Sequence, residues 1–136
     1  MRQDHIDIVK NFFSLIEQRD IDGLVDLFDE DCVVYEPFSK ENGLQKNNLK
    51  PFFQVLVNTN NDITREVSFL DKDNQFNEIE TLVTFNKDGM LRAKFIFNIK
   101  HYSDDFGIEL NKIETLHIDF IWCIQELNQD AISRNN

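Results

Sequence analysis

Apolar residues recur on two different periods along this chain, and the change of period divides it. Ile6, Val9, Phe12, Phe13 and Ile16 stand at helical spacing, which predicts an amphipathic first helix over residues 6–16. Asp20 or Asp22 can cap a second, shorter helix carrying Leu24, Val25, Leu27 and Phe28. DCVVYEPF, residues 31–38, reads as a brief strand and ENGLQKNN as a polar loop. Leu49 to Val57 forms a third helix, with Pro51 in its first turn, where the missing N–H has no partner to lose. After NTNND the pattern alternates, giving four strands near 64–70, 76–86, 90–102 and 112–123. Residues 124–136 lack apolar periodicity and are expected to fray.

The hairpin NKDGM sets a register. With KDG as a three-residue loop, Asn86 faces Met90. Ile79, Thr81, Val83 and Phe85 then share a face with Leu91, Ala93, Phe95, Phe97 and Ile99, while Arg92, Lys94, Asn98 and Lys100 point the other way. In the last strand Leu116, Ile118, Phe120 and Trp122 face inward, and Thr115, His117 and Asp119 face outward. Helices followed by a run of antiparallel strands predict an α+β fold with helices on one sheet face. No repeat, linker or second domain is visible, so residues 1–136 read as one domain.

Composition narrows the function classes. Apolar residues make up 41% and the chain holds thirteen Phe, more than a minimal core needs, so a lined cavity is expected. The formal charge of −11, from 25 acidic against 14 basic residues, disfavours nucleic-acid and membrane-surface partners, because it repels phosphates and anionic lipid. Cys32 and Cys123 lie far apart in apolar segments and read as reduced, buried thiols. MRQDHIDIVK lacks a signal peptide's apolar run, and no stretch is apolar enough to span a bilayer, so the expected compartment is cytoplasmic.

Glu36 is the first candidate for chemistry. It shares a strand face with Val34 and Cys32, so it is expected to point inward, where partial desolvation suits a general base; the bland reading is a strand-end charge. Tyr35 alternates to the other face and reads as packing. His101 ends the third strand on the apolar face, either as a hydrogen-bonded structural residue or as a partner for Glu36. His101 and His117 point to opposite faces and no carboxylate or Cys completes a set, so no metal is expected. Four glycines and no phosphate-binding loop predict no cofactor.

Two stretches carry a family resemblance: IVKNFFSLIEQRDIDGLVDLFDEDCVVYEPF, residues 8–38, and the loop and helix from Gly43 to Phe53. With the strand pattern that follows, they resemble the NTF2-like superfamily, including SnoaL-like cyclases and ketosteroid isomerases, over about residues 6 to 122. The resemblance implies a cone: three N-terminal helices packed on a curved, mainly antiparallel sheet, with an apolar pocket between them and a homodimer through the outer sheet face. In ketosteroid isomerases the general-base aspartate precedes a proline, at the position of Glu36 before Pro37. The oxyanion-donor tyrosine corresponds to Phe12, which has no hydroxyl. The donor acid, counted without gaps from Gly89, falls on Asn98, which the hairpin register turns outward. SnoaL-like cyclases use a strand aspartate as base; Asp119 is the comparable residue and alternates outward.

These expectations combine into catalytic candidates Glu36, His101 and Asn98, and a pocket lined by Phe12, Val34, Phe52, Phe85, Phe97 and Phe120. The leading reading is a protein that binds a small hydrophobic molecule. The others are a cofactor-independent isomerase, dehydratase or cyclase using Glu36, and a protein-interaction module acting through the sheet face.

Overall fold

The first helix buries one stripe: His5, Val9, Phe12 and Ile16, spaced four, three and four residues apart, all lie beneath it. In the computed structural model, which describes residues 2–37, 42–58, 65–70, 78–85 and 91–121, this helix α1 spans Arg2–Gln18. Helix α2 (Ile21–Asp26) starts where the Asp20 carboxylate accepts the Gly23 N–H at 3.0 Å, which makes Asp20 rather than Asp22 the cap. Helix α3 (Leu49–Asn58) turns Leu49, Phe53 and Val57 into the core at four-residue spacing. No helix among the described residues is long and apolar enough to cross a membrane.

Strands β1 (Phe28–Tyr35), β2 (Leu44–Gln45), β3 (Arg65–Leu70), β4 (Glu78–Phe85), β5 (Leu91–Ser103) and β6 (Glu109–Ile121) form one sheet in the order β2-β1-β6-β5-β4-β3. All neighbours are antiparallel except β1 and β6, which run parallel. The short β2, followed by a 3₁₀ turn at Lys46–Asn48, occupies what the sequence presents as a polar loop. The expected β4–β5 register is the one observed: Ile79 pairs with Phe97, Thr81 with Phe95, Val83 with Ala93 and Phe85 with Leu91. The hairpin turn itself, Trp122, Cys123 and residues 124–136 lie outside the described residues.

The inner sheet face and the helices close on each other. Phe12 is the hub, with ring centroids of Phe97 and Phe13 at 5.1 Å, Phe53 at 6.0 Å, Phe28 at 6.2 Å and Phe95 at 6.3 Å. Most of these contacts are edge-to-face or tilted, as the aromatic quadrupole favours. The buried hydroxyl of Thr81 donates to the Phe95 carbonyl at 3.1 Å, so this polar side chain sits on the inner face without an unmet bond.

Two irregularities meet at Glu114. Along β1 four residues, 29 to 32, separate the pairs Phe28–Ile113 and Val33–Thr115, whereas β6 has only residue 114 between them. On the other side Asn98 pairs with Thr115 and Ile99 with Ile113, again skipping Glu114. The extra residue restores parity, so Ile113 and Leu116 both point inward. Lys46 holds the looped part of β1: its Nζ donates to the Phe28 carbonyl at 2.8 Å and to the Glu30 carboxylate at 3.1 Å.

Candidate functional site

β1 ends because of Pro37. Proline has no N–H for a ladder, and it keeps Glu36 out of the helical region, so the chain peels away after the pair Tyr35–His117. β6 runs on to Ile121. The gap between them is an open pocket of about 220 Å³, lined by Tyr35, Glu36, Pro37, Ile118, Asp119 and Phe120. Glu36 and Phe120 are both half-buried there, so two of the sequence candidates come together at the rim of the sheet. Asp119, expected to face solvent or a dimer partner, is exposed and also lines this pocket. Its proximity to Glu36 follows from the parallel β1–β6 pairing, which places the residues after His117 beside those after Tyr35. That pairing joins segments far apart in the chain and has no local sequence signal.

Other candidates go elsewhere. Phe12, Val34 and Phe97, three of the residues expected to line an interior pocket, are fully buried, and the rings of Phe12 and Phe97 pack with centroids 5.1 Å apart. Phe52 is half-buried and packs on Phe53 at 5.3 Å; Phe53, not Phe52, enters the core, as its four-residue spacing from Leu49 could have signalled. Phe85 lies in β4, with its side chain outside the described residues. Asn98 is on the outer face, where its amide donates to the Thr115 hydroxyl at 2.9 Å. His101 is exposed at the far end of β5, its Nδ1 2.7 Å from the Asn111 amide oxygen and its Nε2 3.9 Å from Glu109. It stands five residues beyond Ile96, the β5 partner of His117, roughly 17 Å along the strand. Neither Asn98 nor His101 is brought to Glu36, because one faces the wrong side and the other the wrong end. Tyr35 and His117 stack on the outer face, with centroids 4.5 Å apart and planes at 16°.

A second depression, about 450 Å³, follows the loop in β1 and is lined by Glu30, Asp31, Cys32, Val33, Gln45, Lys46 and Asn47. Burial pushes the Cys32 thiol up from 9.0 to about 11, with the nearby Lys46 ammonium pulling in the opposite direction. The folded state therefore holds this proton more tightly than the unfolded chain does. Its contribution is complete below pH 9 and is lost as pH rises toward 11, on the order of 2 to 3 kcal/mol for a shift of this size. Urea unfolding of the wild type and of Cys32→Ala at pH 8 and pH 10.5 isolates it, since the other titrating groups cancel. The stability gap between the two proteins should shrink at the higher pH; a constant gap would contradict the assignment. Among the described residues no group of three or more His, Cys, Asp or Glu is placed to hold a metal ion.

In sequence the chain matches no family profile and no curated protein. In structure it resembles several solved proteins. A SnoaL-like protein of unknown function from Burkholderia thailandensis superposes with a TM-score of 0.63 at 10% identity, over 88% of this chain and 97% of the other. SalBIII, described as an epoxide hydrolase/cyclase-like enzyme in salinomycin pyran ring formation, gives 0.59 at 17% identity, over 88% and 94%. A putative polyketide cyclase from Sinorhizobium meliloti gives 0.54 at 20% identity, over 88% and 99%.

Proposed function

With the fold established as NTF2-like, we propose that this chain binds a small hydrophobic molecule in the rim pocket beside Glu36. One observation carries the reading: the pocket is lined by Glu36 together with Ile118 and Phe120. An apolar wall with a few polar groups is the usual make-up of a small-molecule site. Phe12, Val34 and Phe97, expected to line a pocket between the helices and the sheet, are fully buried, which favours the rim.

Titration of the ¹⁵N-labelled protein with 2-phenylethanol tests this. Amide shifts are expected at Tyr35, Glu36, Ile118, Asp119 and Phe120, and not at Phe12 or Phe97. Shifts confined to the core, or absent from the rim, would overturn the reading.

The cyclase descriptions of two fold neighbours support a second reading, proton transfer without a cofactor, in which Glu36 takes a proton from the bound molecule. Solvent-deuterium incorporation next to the carbonyl of a small hydrophobic ketone should then be faster with the wild type than with Glu36→Gln. Equal rates would remove the base from the account.

A further inference from the structure

We propose that the tip of the β5–β6 hairpin is a docking element for another protein, inserting Phe106 into an apolar cleft edged with lysine or arginine. Residues 105–109 are exposed without a break, and among them Phe106 is 88% and Ile108 57% exposed. A lone exposed apolar residue is ordinary, so what matters is how this one is held. The turn closes around Asp104. Its N–H donates to the Ile108 carbonyl at 2.9 Å, and its carbonyl accepts the Gly107 N–H at 3.0 Å. Its carboxylate accepts the N–H groups of Phe106 and Ile108, both at 2.9 Å. Gly107, at φ +78°, supplies the left-handed residue of the turn. The backbone under Phe106 is thus fixed in advance, and a partner that buries the ring has little of the chain left to order.

Charge decides the partner. Between His101 and Asn111 the chain holds Asp104, Asp105 and Glu109 and no lysine or arginine. The first lysines on either side are engaged elsewhere: the Lys100 ammonium is 3.8 Å from the Asp29 carboxylate, and Lys112 donates to the Asp26 carbonyl at 2.6 Å. Glu109 lies 3.9 Å from His101, and its side chain is 74% exposed. An apolar cleft would cover Phe106 and Ile108, and basic groups at its edge would meet the carboxylates. A second copy of this chain, at −11, or an anionic membrane would set like charge against the tip. The tip stands at the opposite end of β6 from the residues that line the rim pocket, so this surface is separate from that site.

A short amphipathic helical peptide of leucine and lysine serves as the probe, titrated into ¹⁵N-labelled protein at pH 7. The amides of Asp105, Phe106, Gly107 and Ile108 should shift most. Phe106→Ser should weaken binding about tenfold or more, and an equally charged peptide of serine and lysine should bind the wild type weaker by a similar factor. The pair Asp105→Asn and Glu109→Gln should weaken the leucine peptide about two- to fivefold. Asp104→Ala should weaken it more than Asp104→Asn, since both remove the charge and only asparagine keeps an oxygen for the two N–H groups. Phe106→Ser changes an exposed side chain, so its melting temperature should match the wild type and its lost binding reports the contact itself. No shift at the tip, shifts centred elsewhere, or equal binding of the two peptides overturns the proposal. So does a tip that shifts with protein concentration alone, which makes the occupant a second copy, or with phosphatidylcholine vesicles and not the peptide, which makes it a membrane.

Discussion

Replacing Phe12 by alanine is expected to cost about 3 to 5 kcal/mol, the largest single-residue effect anticipated in this protein. The ring is fully buried and meets five other phenylalanine rings from α1, β1, α3 and β5, so its removal takes away apolar burial and leaves a hole. Domains of this size are stable by only about 5 to 15 kcal/mol, so the variant should unfold at much lower urea. It should also gain a property the wild type lacks. A dry cavity lined by aromatic side chains binds small apolar molecules, so benzene should raise the melting temperature of Phe12→Ala and leave that of the wild type nearly unchanged. If benzene stabilises both proteins equally, Phe12 does not close the space between these rings, and the rim pocket loses its claim as the ligand site.

Gly43→Ala should cost about 2 to 4 kcal/mol, by a backbone route. Gly43 has φ of +68°, and a Cβ there would stand 2.6 Å from Val33 Cγ1, 3.0 Å from the Val34 carbonyl oxygen and 3.1 Å from Tyr35 Cδ1. Two of these atoms belong to side chains of β1 and one to its backbone, so β1 or the β2 segment must move. Gly107→Ala is the control. Its φ is +78°, but a Cβ there meets nothing within 4 Å, so it carries the dihedral strain alone, roughly 1 to 2 kcal/mol. The excess cost at Gly43 measures the close approach of β2 to β1. Because Tyr35 is one of the displaced groups, the His117 ring resonances should shift in Gly43→Ala and stay fixed in Gly107→Ala. Equal destabilisation by the two substitutions would show that the approach is not tight.

Much of the architecture is legible in the sequence. The helical stripe of Val9, Phe12 and Ile16, the inward set Ile79, Val83, Phe95 and Phe97, and the Leu116–Phe120 alternation all follow from which faces must be apolar. The β4–β5 register was legible too, since a short loop holding Gly89 leaves few ways to pair the flanking strands. Choosing Asp20 over Asp22 as the α2 cap needed the actual bond to the Gly23 N–H, because both carboxylates stand within one turn of the helix start.

The site was read less fully. Glu36 was found because Pro37 ends the strand there and the chain's alternation points Glu36 away from Tyr35. Asp119, eighty-three positions later (119 − 36), reaches the same pocket only through the parallel β1–β6 pairing, a contact with no local signature. His101 follows the apolar alternation of β5, yet it is exposed near the end of the strand, and periodicity does not say where burial stops. By itself the sequence determined the elements, their inward faces and the carboxylate at the strand end, because periodicity, turn chemistry and proline act over a few residues. Only the tertiary structure decided that Phe12, Val34 and Phe97 pack fully into the core and that Glu36 and Asp119 share a pocket where β1 ends. Whether thirteen phenylalanines line a void or close it depends on how rings from separate elements interdigitate, and that is a property of volume, not of spacing.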